Sequence, residues 1–386
     1  CGRCDDICPA NQTGKPLSPK WLIVNTKHLL MHEKDQLLTT GQSETPLVGT
    51  VISEDALWAC TSCGGCMEMC PMSIEHIPFI MRLRQNQMME QESFPKEFNT
   101  LFANLERQGN PWGQPQIKRD EWTKGLDILR VSDLESSEEV DVLYWVGCAG
   151  AYDDKARRTA IAFSKLMQAA NITFAILGKE EKCCGDPARR CGNEFLAQML
   201  MEEMKETLNE YKVKNIVTAC PHCFHTLKNE FPDFGGHYEV KHHSQFINEL
   251  VTSGQLKINQ ETGSLLTTFH DPCYLGCNNG IYEEPRDVIK SLGYDTQEME
   301  KSRDKSFCCG AGGGQMWREE KIGVRVNMER TRQILETEAQ MVGVACPFCM
   351  TMIDDGLKAN NKADSVKVKE LAERVIENIE AVVPKH

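Results

Sequence analysis

Basic charge is in short supply in this chain: 43 Lys and Arg stand against 56 Asp and Glu, a formal net charge of −13. No basic excess is available to neutralise phosphates, so nucleic acid is excluded as a partner. Long apolar runs are missing too. Nothing approaches the ~18 consecutive apolar residues of a membrane helix, and no secretory signal peptide is expected. The chain also lacks an initiator methionine. It opens on Cys1, inside a cysteine motif, and the expectation is that the natural polypeptide continues upstream.

Cysteine is abundant, with 19 in 386 residues. In a small secreted chain such a count would read as a disulfide frame. This chain is large enough for two or three domains, and its cysteines fall in tight runs. Thiolates that bind metal must stay reduced, which favours a cytosolic compartment.

Three regions separate by pattern. Residues 1–90 hold two cysteine runs joined by an amphipathic segment. In it Trp21, Leu22, Val24, Leu29, Leu30, Leu37 and Leu38 recur at helical spacing after Ser18-Pro19. Residues 91–138 are polar, with breakers at Gly109-Asn110-Pro111 and Gly113 and the start of an acidic stretch, Asp133–Glu139; they read as a wrapping linker. Residues 139–258 and 259–386 are α/β and repeat one another. Cys148, Cys183 and Cys184 map onto Cys273, Cys308 and Cys309 at an offset of 125, and Cys220 and Cys223 onto Cys346 and Cys349 at 126. Strands are expected at Val142–Val146, Ile172–Leu177 with a counterpart in the second half, Ile216–Ala219, Tyr238–His243, Leu265–Phe269, Val342–Ala345 and Ser365–Lys369. Strands alternating with helices imply parallel sheets, hence two Rossmann-like halves related by pseudo-two-fold symmetry.

Cys60, Cys63, Cys66 and Cys70-Pro71 form C-x2-C-x2-C-x3-C-P. Three thiolates so spaced can meet three corners of a cubane, while the fourth serves the other cluster of a two-cluster ferredoxin. Cys1, Cys4 and Cys8-Pro9 are the same motif without its first cysteine. One [4Fe–4S] cluster is therefore expected on Cys60, Cys63, Cys66 and Cys8. The other falls to Cys1, Cys4, Cys70 and a cysteine three residues before Cys1. The long insert between the runs suggests a helical ferredoxin domain. Zinc prefers two separated pairs and is poorly served by such a run.

Each α/β half offers five thiols, more than one cubane needs. Neighbouring cysteines can reach adjacent irons. The glycines beside them (Gly185, Gly310 and Gly312–Gly314) allow close backbone approach and amide donors toward sulfide. The spacing Cys…Cys-Cys…Cys-x-x-Cys resembles the CCG domain, complete in both copies. This resemblance implies a non-cubane [4Fe–4S] cluster on Cys148, Cys183, Cys184, Cys220 and Cys223, and another on Cys273, Cys308, Cys309, Cys346 and Cys349. The order of ferredoxin followed by two CCG domains resembles the D-type subunit of heterodisulfide reductases. WACTSCGGCMEMCPMSIEHIPFI, FPKEFNTLFANLERQGNPWGQ, CCGDPARRCGNEF and CCGAGGGQMW resemble the electron-transfer-flavoprotein:menaquinone oxidoreductase family over nearly the full length. That likeness implies an N-terminal membrane section carrying quinone, with haem b as a further expectation, a flavoprotein donor, and a place on the cytoplasmic side of a membrane.

Cys191 and Cys277 are left over and are expected to be free buried thiols. His270, in His270-Asp271-Pro272, is a candidate proton donor beside a cluster; the blander reading is that the trio shapes a strand end and supplies hydrogen bonds. His222 and His225 are expected to tune a cluster, and His242-His243 to pack. Arg189 and Arg190 either ease the charge of a reduced cluster or open a helix. The Gly-rich GAGGG run lacks the strand–GxGxxG–helix setting, which speaks against flavin or NAD binding. The expected function is electron relay from reduced flavoprotein to a quinone-reducing section. The rivals are a thiol–disulfide enzyme of heterodisulfide-reductase type and a zinc scaffold.

Overall fold

The computed structural model describes residues 1–134, 139–260 and 265–379. Residues 135–138, the end of the expected linker within the acidic stretch, lie outside the described residues, as does the last stretch of the second repeat.

Residues 1–90 are helical. Ser18 caps the helix Pro19–His32 by accepting from the Trp21 amide, and Pro19 occupies its first position, where no amide is needed. A second helix, Lys34–Thr40, follows. The amphipathic segment is thus helical, but of its apolar set only Leu22 is fully buried, while Trp21, Leu30 and Leu38 are exposed. The helix His76–Met89 carries the second cysteine run into the core through Ile77, Ile80 and Met81.

The α/β part contains eight strands among the described residues: β1 Leu129–Arg130, β2 Val142–Trp145, β3 Phe174–Ile176, β4 Asn215–Thr218, β5 Glu239–His242, β6 Thr267–Phe269, β7 Met341–Val344 and β8 Lys367–Glu370. They form two parallel sheets, ordered β1-β3-β2-β4-β5 and β6-β7-β8. All four residues of β2 and all four of β7 are buried, as expected of central strands covered on both faces. Two points differ from expectation. The linker contributes β1 to the edge of the first sheet. The counterpart of β3 in the second half is reduced to an isolated parallel bridge, Thr267 to Thr296.

One apolar core joins residues 1–90 to the first half, through Leu57, Ile80, Phe98, Leu101, Trp145, Leu200 and Phe224. Another joins the two halves, through Tyr144, Phe163, Val217, Phe269, Met341 and Leu371. The segment 91–134 contacts the first half through hydrogen bonds. Gln116 donates to the carbonyls of Lys179 (2.8 Å) and Glu181 (2.6 Å), and the Cys183 amide donates to Gly109 O at 2.7 Å.

Candidate metal centres

In both halves the cysteines sit where parallel strands deliver them. β4 ends at Thr218, and Cys220 precedes Pro221, the first residue of the helix Pro221–His225. β7 ends at Val344, and Cys346 precedes Pro347, which opens the helix Pro347–Ala359. Cys148 follows β2 and Cys273 follows β6. The carboxyl ends of parallel strands are where such sheets place their ligands.

The thiols of each half are in contact in one order: Cys148–Cys183–Cys184–Cys223–Cys220, and Cys273–Cys308–Cys309–Cys349–Cys346. Cys184 and Cys223 sulfurs lie 3.7 Å apart. All ten are buried. In residues 1–90, Cys66 has Cys63, Cys60, Cys8 and Cys4 as neighbours. Cys4 neighbours Cys70, and Cys1 is exposed. Burial pushes the Cys8, Cys60 and Cys66 thiols up, so unliganded they would hold their protons; a metal would take them as thiolates. Cys63 also faces Cys273, which brings one ferredoxin-type set against the second half.

Arginine organises these sets, and sequence reasoning missed it. Arg84 is fully buried. Its guanidinium donates to carbonyls of Leu57 (3.2 and 3.0 Å), Cys60 (2.7 Å), Arg190 (2.8 Å) and Gly313 (2.9 Å), tying residues 1–90 to both halves. The GAGGG run completes this clasp. A Cβ on Gly313, at φ +63°, would lie 2.2 Å from Cys60 O, so only glycine fits. Arg119, from the linker, places both terminal nitrogens 3.7 Å from Cys148 Sγ and pairs with Glu181. Glu181 also accepts from the amides of Val146 (3.0 Å) and Gly147 (2.8 Å).

His270 is fully buried, and its Nδ1 accepts from Arg330 Nε at 2.9 Å. Arginine only donates, so the ring proton resides on Nε2. That nitrogen faces the sulfurs of Cys309 and Cys349, all within 4.8 Å of one another. Burial pushes the imidazole pKa down, and Arg330 adds to this, although Cys309 pulls the other way. Asp271 is taken by Arg286, at 2.6 and 2.9 Å. His222 Nδ1 meets Asp186 at 3.0 Å; burial alone would lower it, but the carboxylate prevails and holds it at about 10. Arg190 pairs with Asp186 and Glu230, and Arg189 with Glu194 and Glu230. Cys191 is fully buried under Gly314 and Phe98. Cys277 lies beside Cys63 and Cys273. His242 and His243 are fully buried, and His243 bonds Glu370 across the halves.

Between the two thiol sets runs a narrow cleft. Asp186, Pro187, His222, Phe348 and the Ala311–Gly314 turn line it, and about 20 Å³ remains inside. His222 stacks on Tyr274 at 4.0 Å, and Tyr274 shares a 2.9 Å hydrogen bond with Ser62.

The cysteine-rich domain family matches residues 142–228 and again 267–354, and the 4Fe-4S dicluster domain family matches residues 1–74. The D-type subunit of the dihydromethanophenazine:CoB–CoM heterodisulfide reductase of Methanosarcina barkeri is 30% identical over 98% of this chain and 92% of its own length. The chain belongs to the cysteine-rich-domain iron–sulfur oxidoreductases. Two longer relatives share this membership. The EtfAB:quinone oxidoreductase of Syntrophomonas wolfei is 41% identical over 97% of this chain, and the probable iron-sulfur-binding oxidoreductase FadF of Bacillus subtilis is 37% identical over 98%. The chain spans 56% and 59% of their respective lengths. Among its described residues, no helix is long and apolar enough to cross a membrane.

The sites fit the iron–sulfur clusters that this family implies. Two buried donors without a hydrogen-bond partner belong to residues beside the thiols of the second half: His270 Nε2 and Arg330 Nη2. A buried donor left unpaired is costly, and inorganic sulfide or thiolate sulfur would satisfy it.

Proposed function

We propose that this iron–sulfur oxidoreductase relays electrons from a reduced electron-transfer flavoprotein to a quinone-reducing membrane section, from the cytoplasmic side. The observation that carries the reading is continuity. Thiol sets follow one another from Cys4 and Cys70, through Cys66, Cys60 and Cys8, to Cys63 against Cys273, and on through the second half to the cleft that faces the first.

In this reading residues 1–90 form a helical ferredoxin domain, 91–138 a linker, and 139–258 and 259–386 two Rossmann-like CCG domains related by pseudo-two-fold symmetry. Cys8, Cys60, Cys63 and Cys66 would hold one cubane, and Cys1, Cys4 and Cys70 would contribute to a second. The two sets of five would hold non-cubane clusters. Iron–sulfur clusters supply one-electron storage at these positions. The chain's own residues exclude water from ten buried thiols, hold neighbouring sets in register through Arg84 and the glycine clasp, and aim His270 and Arg119 at sulfur. The name of the Syntrophomonas relative joins EtfAB to a quinone, which agrees with this direction.

Two complete thiol sets and the Methanosarcina relative favour disulfide reduction as the second reading. The cleft speaks against it. Its 20 Å³ accommodates about one water, whereas pockets for organic ligands run to ~300 Å³ or more. Anaerobic stopped-flow mixing of the cluster-loaded protein with reduced flavoprotein decides the matter. Rapid bleaching of the iron–sulfur absorbance is expected. No bleaching by flavoprotein, with turnover of disulfides under reduced viologen, would overturn the relay.

A further inference from the structure

We propose that Trp112 is a stopper that closes the cleft between the two thiol sets and keeps small thiols and disulfides away from the irons. The inference rests on the relay reading and adds a specificity device to it.

In this cleft both sets present residues to a common space. Phe348 lies between Cys346 and Cys349, His222 between Cys220 and Cys223, Asp186 just beyond Cys183-Cys184, and Ala311 just beyond Cys308-Cys309. A small sulfur compound bound there would meet either half. Trp112, between Pro111 and Gly113, packs on two of the residues that line this space, Phe348 and Trp317. Its ring lies parallel to Phe348, with centroids 6.3 Å apart and planes at 10°, and edge-on to Trp317 at 5.2 Å. Phe348 in turn meets His222 edge-on at 5.6 Å.

The loop that carries Trp112 is built to hold it. Asn110 is fully buried. It donates to Gln108 O (2.9 Å) and Gln114 O (2.7 Å) and accepts from the Gln114 amide (3.1 Å), so one side chain closes the whole turn. Gly113, at φ +65°, lies where a Cβ would come within 2.6 Å of Asn104 Oδ1, and Asn104 also donates to Pro111 O at 3.0 Å. A buried asparagine and a left-handed glycine together fix the turn that presents this tryptophan.

The test uses the cluster-loaded chain and two probes: a ferrous-iron chelator, and 2-mercaptoethanol with its disulfide, followed by EPR of the oxidised protein. Trp112→Ala is expected to lose iron to the chelator about tenfold faster, as when local opening governs access, and to gain a thiol-dependent EPR signal. Trp112→Phe should behave like the wild type. Asn110→Ala, which frees the loop without touching the cleft, should follow Trp112→Ala, and Trp112→Leu replaces the alanine variant where that one fails to retain iron. Unchanged chelation in the opened variants at wild-type iron content would overturn the stopper, as would a thiol-dependent signal already present in the wild type. Reduction of the wild type by flavoprotein, measured alongside, separates failure of the stopper from failure of the relay.

Discussion

In the first half, the strand leading to Cys148 ends in Trp145; in the second, the residue in register before Cys273 is His270. Two residues before the paired cysteines stands Glu181 in one half and Ser306 in the other. Glu181 binds Arg119, which reaches Cys148 from outside the repeat, whereas Ser306 only donates to Asp271 O at 3.1 Å. Arg330 backs His270, and its position in the first half is held by Lys205, paired with Glu202 on its own helix. The thiol contacts run in the same order in both halves, but the donors around them do not correspond. A duplicated backbone places sulfur, while single side chains arriving from elsewhere set the field around it. The two halves should therefore differ in reduction potential while matching in iron content.

The bluntest way to break this comparison is to remove one thiol from each half. Cys183→Ser and Cys308→Ser should each lower bound iron by about four per chain, read by elemental analysis; unequal losses would show that the sets are not equivalent as containers. Next comes the clasp common to both. Arg84→Met strands carbonyls of Leu57, Cys60, Arg190 and Gly313, and is expected to cost about 3 kcal/mol or more in denaturant unfolding.

The asymmetry itself is tested by potentials. Arg119→Gln should lower the potential of the first-half cluster alone, and His270→Leu that of the second alone. Each shift should be about 59 mV, a tenfold change in a one-electron equilibrium, resolved by EPR-monitored titration. His270→Gln, which keeps an N–H donor, should recover part of the shift. Equal effects on both signals would mean that the two halves share one field.

A pH-dependent effect lies where the halves meet. Burial pushes Glu370 up to about 8 and His243 down to about 3, so their hydrogen bond joins two neutral groups. Glu370 binds its proton more tightly folded than unfolded. Its contribution is complete below its unfolded value of about 4.3 and is lost as pH rises to about 8. His243 works in the opposite sense, contributing stability gained as pH rises from about 3 to its unfolded value of about 6.5. The two offset each other between about 4.3 and 6.5, and above that only Glu370 acts. Stability should fall by up to about 2 kcal/mol between pH 6.5 and 8, and Glu370→Gln should flatten the decline.

Much of this was legible in the chain. Cysteine spacing gave the order of the thiol sets, and alternation of apolar runs with helical periods gave the parallel strands to within a residue or two. What escaped is instructive. The counterpart of β3 shrinks to a bridge at Thr296, because strand pairing depends on a neighbour that sequence periodicity does not name. The exposed faces of Trp21, Leu30 and Leu38 show that helical spacing of apolar residues does not itself supply a partner. Arg84, Arg119 and Arg330 carry no motif that singles them out; their burial comes from elements far apart in sequence converging on them.

The sequence by itself determined which cysteines fall in runs, how those runs are spaced, and that the second α/β half repeats the first, because residue type and repeat offset are local properties of the chain. Only the tertiary structure decided which thiol set lies against which, that Trp112 packs on residues lining the cleft, and which donors point at which sulfur. Those are contacts between residues that the chain separates by tens to hundreds of positions, and packing alone brings them together.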